Sequence, residues 1–495
     1  MSAFAKVMAH YEEQHALDAA IGLMSWDRQV LMPSGGASAR TAQVQALTRM
    51  LHARRTSDEM ARALEDATSE TEPGSVPAAM LRNLQKSVDH ARKLPAALVA
   101  RKAKASSDAY DTWRLAKPNA DYSLMEPHYR ELFSIARETS ECLGYVAHPY
   151  DALINLYEEG ATTADADRMF SAIKQPTIDL VRHFQNNGIA VDDSFLIRDW
   201  PQEDLRSFAQ SIATTVGFDF DRGRLDLCGN AFCSGSTSRD VRMTTRPSEH
   251  FKGVISSSLH EMGHGLYEQG SPAEWDRTPL SGGASLAVHE SQSRLWENIV
   301  GRSLGFWTHF HPKLAERFPY LGTIPHRDLY RAVNKVNPTY IRVGADELTY
   351  NLHILIRYEL EVALVTGALD TKDLPDAWNS KYEAYLGIVP PHDGLGCLQD
   401  VHWSRGSVGY FPTYSMGNLI GGQIWETLVQ GIGDPSESFA RGDFSGVLGW
   451  LQDHVYRHAS RYEPAELVTK VTGRTMEPGP WLKYATEKYH SIYGL

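Results

Sequence analysis

His260-Glu261-Met262-Gly263-His264 sets two imidazoles four residues apart, with a carboxylate beside the first. On a helix, residues four apart share a face, so both rings can ligate one ion. Glu261 lies about 100° round from His260, placed to reach an ion-bound water without joining the ligands. The helix itself is legible: Val254, Ile255, Leu259, Met262 and Leu266 form an apolar face within Phe251–Gly270. Residues of these types at this spacing point to metal-assisted hydrolysis.

A catalytic zinc takes a third protein ligand and keeps one position open for water. A glycine at 267 with a histidine at 270 would complete one common arrangement. Tyr267 and Gly270 stand there instead, which excludes it. A carboxylate on a following helix is the remaining common solution. The segment Ala287 to Glu297 supplies it, with Val288, Leu295, Trp296 and Ile299 as core positions and Glu290 as the expected ligand. His289 and Glu297 compete for that place. Adjacent helical residues diverge by about 100°, so His289 and Glu290 are not expected to ligate together. Arg294 stands four residues after Glu290, where some two-helix zinc sites carry a supporting aspartate. The group that orients His260 or His264 must then come from elsewhere, and Asp240 is the choice. Zinc is the expected ion; cobalt or manganese suits the same donors.

Most of the chain has the periodicity of helices. Patterns run over about 2–24, 38–55, 77–115, 125–143, 163–187 and 202–216, with a breaker at Met32-Pro33-Ser34-Gly35-Gly36. They resume over about 249–269, 285–303, 325–335, 346–367 and 371–385. Gly387 to Gly417, rich in Gly and Pro, interrupts them before further helices reach the end. Arg222 to Arg246 alternates apolar and polar residues and predicts a small antiparallel ribbon. His148-Pro149 marks a turn or helix entry. Thr163 is the expected N-cap of the 163–187 helix, with Asp165 and Asp167 in its first turn. No repeat or long linker divides the chain. The expectation is a mainly α protein whose residues 1–495 form a single helical catalytic unit with internal lobes and one small β-ribbon.

The chain has 495 residues, 42% of them hydrophobic and 22% charged, which excludes wholesale disorder and fibrous repeats. Asp and Glu outnumber Lys and Arg by 61 to 49, a net charge of -12. An acidic surface argues against nucleic acid and anionic membranes as partners. No apolar stretch reaches the roughly 18 residues that span a bilayer. Four cysteines in so long a chain suit a reducing compartment. With no basic, then apolar leader at the start, a cytoplasmic setting is expected.

Several segments together resemble the carboxypeptidase Taq family of zinc metallocarboxypeptidases. They are His148-Pro149-Tyr150-Asp151, Asp240-Val241-Arg242-Met243-Thr244, the HExxH segment, His289-Glu290-Ser291-Gln292-Ser293 and Gln399-Asp400-Val401-His402-Trp403, in that order. Trp26-Asp27, Met32 to Gly36 and Ile341 to Tyr350 add to the likeness. Tyr150 stands where phenylalanine is usual. The resemblance implies a mostly helical fold with a deep active-site cleft, and a homodimer. It also implies release of single residues from peptides with a free C-terminus, broad in specificity but disfavouring proline.

Glu261 is the expected general base, taking a proton from the attacking water and passing it to the leaving amine. A developing oxyanion calls for a fixed donor, and His402 and Tyr414 are the candidates, with Tyr410 beside them. A free C-terminal carboxylate calls for an arginine. Arg342 is the first candidate through its family-like segment, with Arg242, Arg246, Arg357 and Arg405 in reserve. Two other readings compete: a helical oligopeptidase cutting internally, and a non-catalytic peptide-binding scaffold.

Overall fold

The computed structural model describes residues 2–246 and 251–495. The chain gathers into two compact units, each drawn from three stretches of sequence. The first takes Met1–Arg92, Asp192–Val333 and Ile424–Thr475. The second takes Lys93–Val191, Asn334–Gln423 and Met476–Leu495. The fold is mainly α with one small sheet, as the periodicity predicts. Among the described residues, no helix is long and apolar enough to cross a membrane.

In the first unit, the helix Ala3–Val30 runs further than the expected 2–24, up to the Met32-Pro33 breaker. A helix absent from the expected pattern, Asp58–Glu70, begins where the Ser57 hydroxyl accepts the Met60 N–H at 3.2 Å. Its Met60 and Leu64 close a core with Val7, Leu81, Leu84 and Val88. The pattern over 77–115 is two helices, Val76–Lys93 at the end of this unit's first stretch and Ala96–Asn119 in the second unit, because Pro95 has no N–H and drives Leu94 out of helical geometry.

The strands of this unit are β1 (Gly223–Leu227), β2 (Cys233–Thr237) and β3 (Asp240–Thr245). The expected antiparallel ribbon is a three-stranded mixed sheet in the order β1-β3-β2. β2 turns back against β3, but β1 lies on the other side of β3 and runs parallel to it. The loop from β1 to β2 leaves the central place to β3, which alternation alone does not reveal.

The helix Phe251–Gly270 lies on this sheet. Its face Val254, Ile255, Leu259, Met262 and Leu266 is at most 4% exposed. Thr245 at the end of β3 donates its hydroxyl to the Val254 carbonyl at 3.3 Å. The next long helix, Leu286–Arg294, continues into a π-helical turn, Leu295–Val300. These two segments carry the chemistry-bearing residues of the first unit.

In the second unit, the helix Glu347–Thr366 is buried on every side over Glu347–Tyr358, the condition in which polar side chains must find partners inside the protein. Arg357, Glu361 and His353 are all fully buried within it. Asp346 caps it by accepting the N–H groups of Leu348 and Thr349, each at 3.0 Å. His148 caps the short helix Pro149–Ile154: its Nδ1 accepts the Tyr150 N–H, and Asp151 accepts the His148 N–H, both at 3.1 Å. That is the helix-entry role expected for the His-Pro pair. Thr162, rather than Thr163, caps Thr163–Asn187. Thr163 is already helical, and its N–H and hydroxyl are taken by Asp151 at 2.7 and 2.6 Å. The segment expected to stay irregular to Gly417 turns helical at Pro412, a residue suited to a first turn.

Candidate metal centre

Four residues of separation place His260 and His264 on one face of their helix, and Glu290 reaches them from the next. Glu290 Oε2 lies 3.4 Å from His260 Nε2 and 3.6 Å from His264 Nε2. Among the described residues, these three form a group whose ligand atoms lie within 4.8 Å of one another. Two imidazole nitrogens and one carboxylate oxygen make a donor set that suits a catalytic divalent ion, zinc in particular. The opposite nitrogen of each ring is already engaged, so Nε2 is the atom each ring presents to an ion. The residues present fit the group that the spacing implies.

His260 Nδ1 lies 2.9 Å from Glu297 Oε2. Glu297, weighed as a ligand, instead meets the far nitrogen of His260. Asp240, expected to orient one of the two rings, is paired with Arg242 two residues along β3, at 2.8 and 3.0 Å. The side chains of residues i and i+2 lie on one face of a strand, so Asp240 meets Arg242 first. His264 Nδ1 lies 2.8 Å from His289 Nδ1, and His289 Nε2 lies 2.6 Å from Glu268 Oε1.

Arg294, which the sequence offered as an unhelpful neighbour, holds the two glutamates in place. Its Nε donates to Glu290 Oε1 at 2.7 Å and its Nη1 to Glu297 Oε2 at 3.3 Å. Arg302 adds a donor to Glu297 Oε1 at 3.3 Å. A signal for Arg294 did exist: three- and four-residue spacing puts Glu290, Arg294 and Glu297 on one helical face.

The electrostatics follow from burial and these charges. Burial pushes the Glu290 carboxyl up, but Arg294 and His260 outweigh it and hold the group well below its ordinary range. Glu297 is brought down to about 2 by Arg294 and His260 against the same burial. In Glu261 burial outweighs the opposing pull of His260 and raises the carboxyl to about 7. Burial lowers His264 to about 4. In His260 burial is outweighed by Glu290, which holds the ring well above the ordinary imidazole value. An ion held here by His260, His264 and Glu290 would take the place of that ring's proton.

The second unit contains His402, Tyr410, Tyr414, Arg342, Arg357 and Arg405. His402 Nε2 lies 3.2 Å from the Tyr414 hydroxyl, so these two are brought together. Burial and the nearby Arg342 lower the His402 imidazole to about 3, leaving the ring neutral at pH 7. Arg342 is 5% exposed. Asp400 Oδ1 accepts from its Nε at 3.0 Å and its Nη2 at 2.8 Å, and the Tyr350 hydroxyl accepts from its Nη1 at 2.9 Å. Arg357, held in reserve as a substrate anchor, donates to Asp400 Oδ2 at 2.6 Å and to Gln399 Oε1 at 2.7 Å. Of the other reserves, Arg405 is exposed and lies 5.0 Å over the Tyr110 ring, and Arg242, in the first unit, pairs with Asp240. Asp400 as the shared partner of two buried arginines was not legible, since the three residues are far apart in sequence. Tyr410 packs edge-on to Tyr157 and to Tyr414, at 5.1 and 5.2 Å between ring centres.

Comparison with known proteins is consistent along the whole chain. The family model described as carboxypeptidase Taq (M32) metallopeptidase matches residues 6–489. Thermostable carboxypeptidase 1 of Thermus thermophilus is 39% identical, over 98% of this chain and 98% of that protein. Carboxypeptidase 1 of Bacillus subtilis is 35% identical, over 99% and 97%. Among solved structures, the M32 carboxypeptidase from Deinococcus radiodurans superposes with a TM-score of 0.96 at 36% identity, covering 100% of both chains. Metallocarboxypeptidase 1 of Trypanosoma cruzi gives 0.93 at 29% identity, covering 99% of both.

Proposed function

The chain belongs to the carboxypeptidase Taq (M32) metallopeptidase family, and on that premise we propose how it works as a metallocarboxypeptidase. It releases single amino acids from peptides with a free C-terminus, broadly but with proline disfavoured. The ion is zinc, held by His260, His264 and Glu290. One observation carries this reading: two Nε2 atoms and one carboxylate oxygen converge, while the far nitrogen of each ring is engaged.

A divalent ion bound there supplies a Lewis acid that makes water nucleophilic near neutral pH and polarises the scissile carbonyl. Glu261 takes the proton of the attacking water on a carboxylate oxygen, then delivers it to the nitrogen of the leaving amine. Burial supports this role, because a carboxyl raised to about 7 both accepts and returns a proton near neutrality. Tyr414 donates its hydroxyl to the oxygen that gains charge, and His402 donates its Nε2–H to the Tyr414 oxygen. Their mutual hydrogen bond and the neutral state of His402 support that assignment. Arg342 is the candidate for the substrate carboxylate, although Asp400 already occupies its Nε and Nη2. The protein works as one catalytic unit and as a homodimer, in the cytoplasm. Four free cysteines accord with a reducing setting.

The test is a short peptide with a free C-terminus beside its C-terminally amidated twin, each with the zinc-loaded protein and followed by mass spectrometry. Stepwise loss of C-terminal residues from the free peptide alone, abolished by a chelator, is the expected result. Internal cuts in both peptides would replace this reading with an oligopeptidase. Intact peptides with one zinc bound per chain would replace it with a peptide-binding protein.

A further inference from the structure

Beside His264 lies a second histidine, hydrogen-bonded at both of its ring nitrogens. His289 immediately precedes Glu290, and its ring turns away from the ion-binding atoms. Its Nδ1 faces His264 Nδ1 at 2.8 Å, and its Nε2 faces Glu268 Oε1 at 2.6 Å. Glu268 follows His264 by one helical turn on the same face. The chain of contacts therefore returns to the helix it started from.

The ring is confined on both sides. A β-carbon on Gly283 would stand 2.6 Å from His289 Cδ2 and 2.7 Å from Tyr267 Cε1, so the backbone there packs directly on both rings. The Tyr267 ring lies 4.9 Å from that of His289, and its hydroxyl accepts the Ala284 N–H at 3.1 Å. His289 and Glu268 are each 20% exposed at the side chain, enough to be screened but not solvated on all sides.

Two nitrogens 2.8 Å apart admit one proton between them, since two lone pairs repel and two N–H groups collide. That proton can belong to either ring, and Glu268 decides which. A carboxylate accepts only from an N–H, so it holds a proton on His289 Nε2. His289 Nδ1 is then the lone pair that accepts from His264 Nδ1–H. His264 in turn has its own lone pair on Nε2, the atom that faces Glu290 and the ion site. In a neutral His289 ring the reverse arrangement would aim a bare nitrogen at the Glu268 carboxylate 2.6 Å away. That approach is closer than the 3.6 Å between His264 Nε2 and Glu290 Oε2, and the His264 proton would fall on Nε2, where a ligand must be bare.

We infer that Glu268 and His289 are positioning residues which fix the tautomer of His264, and so prepare it to ligate the metal. The inference rests on His264 being a ligand, as proposed above. It differs from the pairing at His260, where the carboxylate of Glu297 acts on the ligand directly. At His264 the charge acts through an intervening ring, so removing either link should break the same device.

Two measurements test it. The first is nitrogen-15 NMR of histidine-labelled, metal-free wild-type protein. His264 should be protonated on Nδ1 and His289 on Nε2; the opposite assignment overturns the inference without any mutant having to fold. The second is zinc affinity by competition with a chromophoric chelator, for Glu268→Gln, His289→Phe and the double variant. Loss of such a supporting partner weakens metal binding about 10–100-fold. Each single change should therefore raise the zinc Kd at least about tenfold, and the double change should do no more than the worse single one. Wild-type affinity in Glu268→Gln, or losses that multiply in the double variant, would sink it. His264→Ala separates the two levels of the argument. If that variant loses zinc while Glu268→Gln keeps it, the ligand assignment stands and this inference falls. If His264→Ala keeps zinc at undiminished affinity, the ligand assignment itself falls.

Discussion

Gly263 lies directly against the backbone of Gln292. A β-carbon at 263 would stand 2.5 Å from the Gln292 carbonyl oxygen and 2.6 Å from Ser293 Cα. Both are backbone atoms that cannot swing aside. The glycine between Met262 and His264 thus lets the helix of His260 and His264 meet the helix of Glu290, two residues from Glu290. Replacing Gly263 with Ala should cost about 1–3 kcal/mol, the usual range for overpacking. It should also draw Glu290 away from the imidazoles and lower zinc affinity. Urea midpoints and zinc content per chain check both; a variant matching the wild type in each would mean the helices have room to spare.

Glu297 and Arg294 make a second prediction. Glu297→Gln keeps the shape beside His260 Nδ1 but removes the charge that Arg294 and Arg302 also share. Zinc affinity should fall about 10–100-fold, read by chelator competition, while the metal-free protein still folds cooperatively. An unchanged zinc Kd would remove Glu297 from any role in preparing the ligand.

Asp400 is the shared partner of Arg342 and Arg357, both buried. Burial opposes its charge, but the two guanidinium groups hold the carboxyl far below its ordinary range. Asp400→Asn leaves two cations facing a neutral amide. Breaking a buried pair in this way costs about 3–5 kcal/mol, to be measured by urea denaturation. A loss below about 1 kcal/mol, the scale of an exposed pair, would show that water reaches these groups.

Glu361 gives a pH dependence. Its Oε1 accepts the Trp403 indole N–H at 2.7 Å; its Oε2 accepts the Tyr150 hydroxyl at 2.6 Å and the Gly409 N–H at 3.0 Å. Burial nevertheless raises it from 4.5 to about 7. Below the unfolded value both states are protonated, and above the folded value neither is. In between, the folded chain holds the extra proton, so stability is present at low pH and lost as pH rises through about 7. The stability difference between wild type and Glu361→Gln should therefore shrink by up to about 3 kcal/mol between pH 4.5 and 8. A pH-independent difference would mean that the three donors keep Glu361 ionised throughout.

Local patterns carried much of this protein. Helical spacing exposed the face of Phe251–Gly270, and the same spacing made His260 and His264 a pair. It also gave Glu290 as the candidate from the next helix, at the place where the structure has it. What local patterns missed is equally definite. The Asp58–Glu70 helix escaped, although Ser57 is an ordinary cap. The parallel strand pair escaped because alternation reports which face a residue takes, not which strand lies beside it.

The sequence by itself determined the pairing of His260 with His264, since residues on one helical face are brought together by the 3.6-residue turn alone. Glu290 reaches them by the packing of a second helix. Only the tertiary structure decided what stands behind each ligand. Glu297 rather than Asp240 meets His260, and Asp400 rather than open solvent meets Arg342. Such partners lie up to 58 residues apart and arrive through packing. A buried charge must find an opposite one, but the sequence does not say which of 61 acidic residues will be in reach. Local geometry repeats with the helix and can be read in advance; the pairing of distant charges exists only once the core has closed around them.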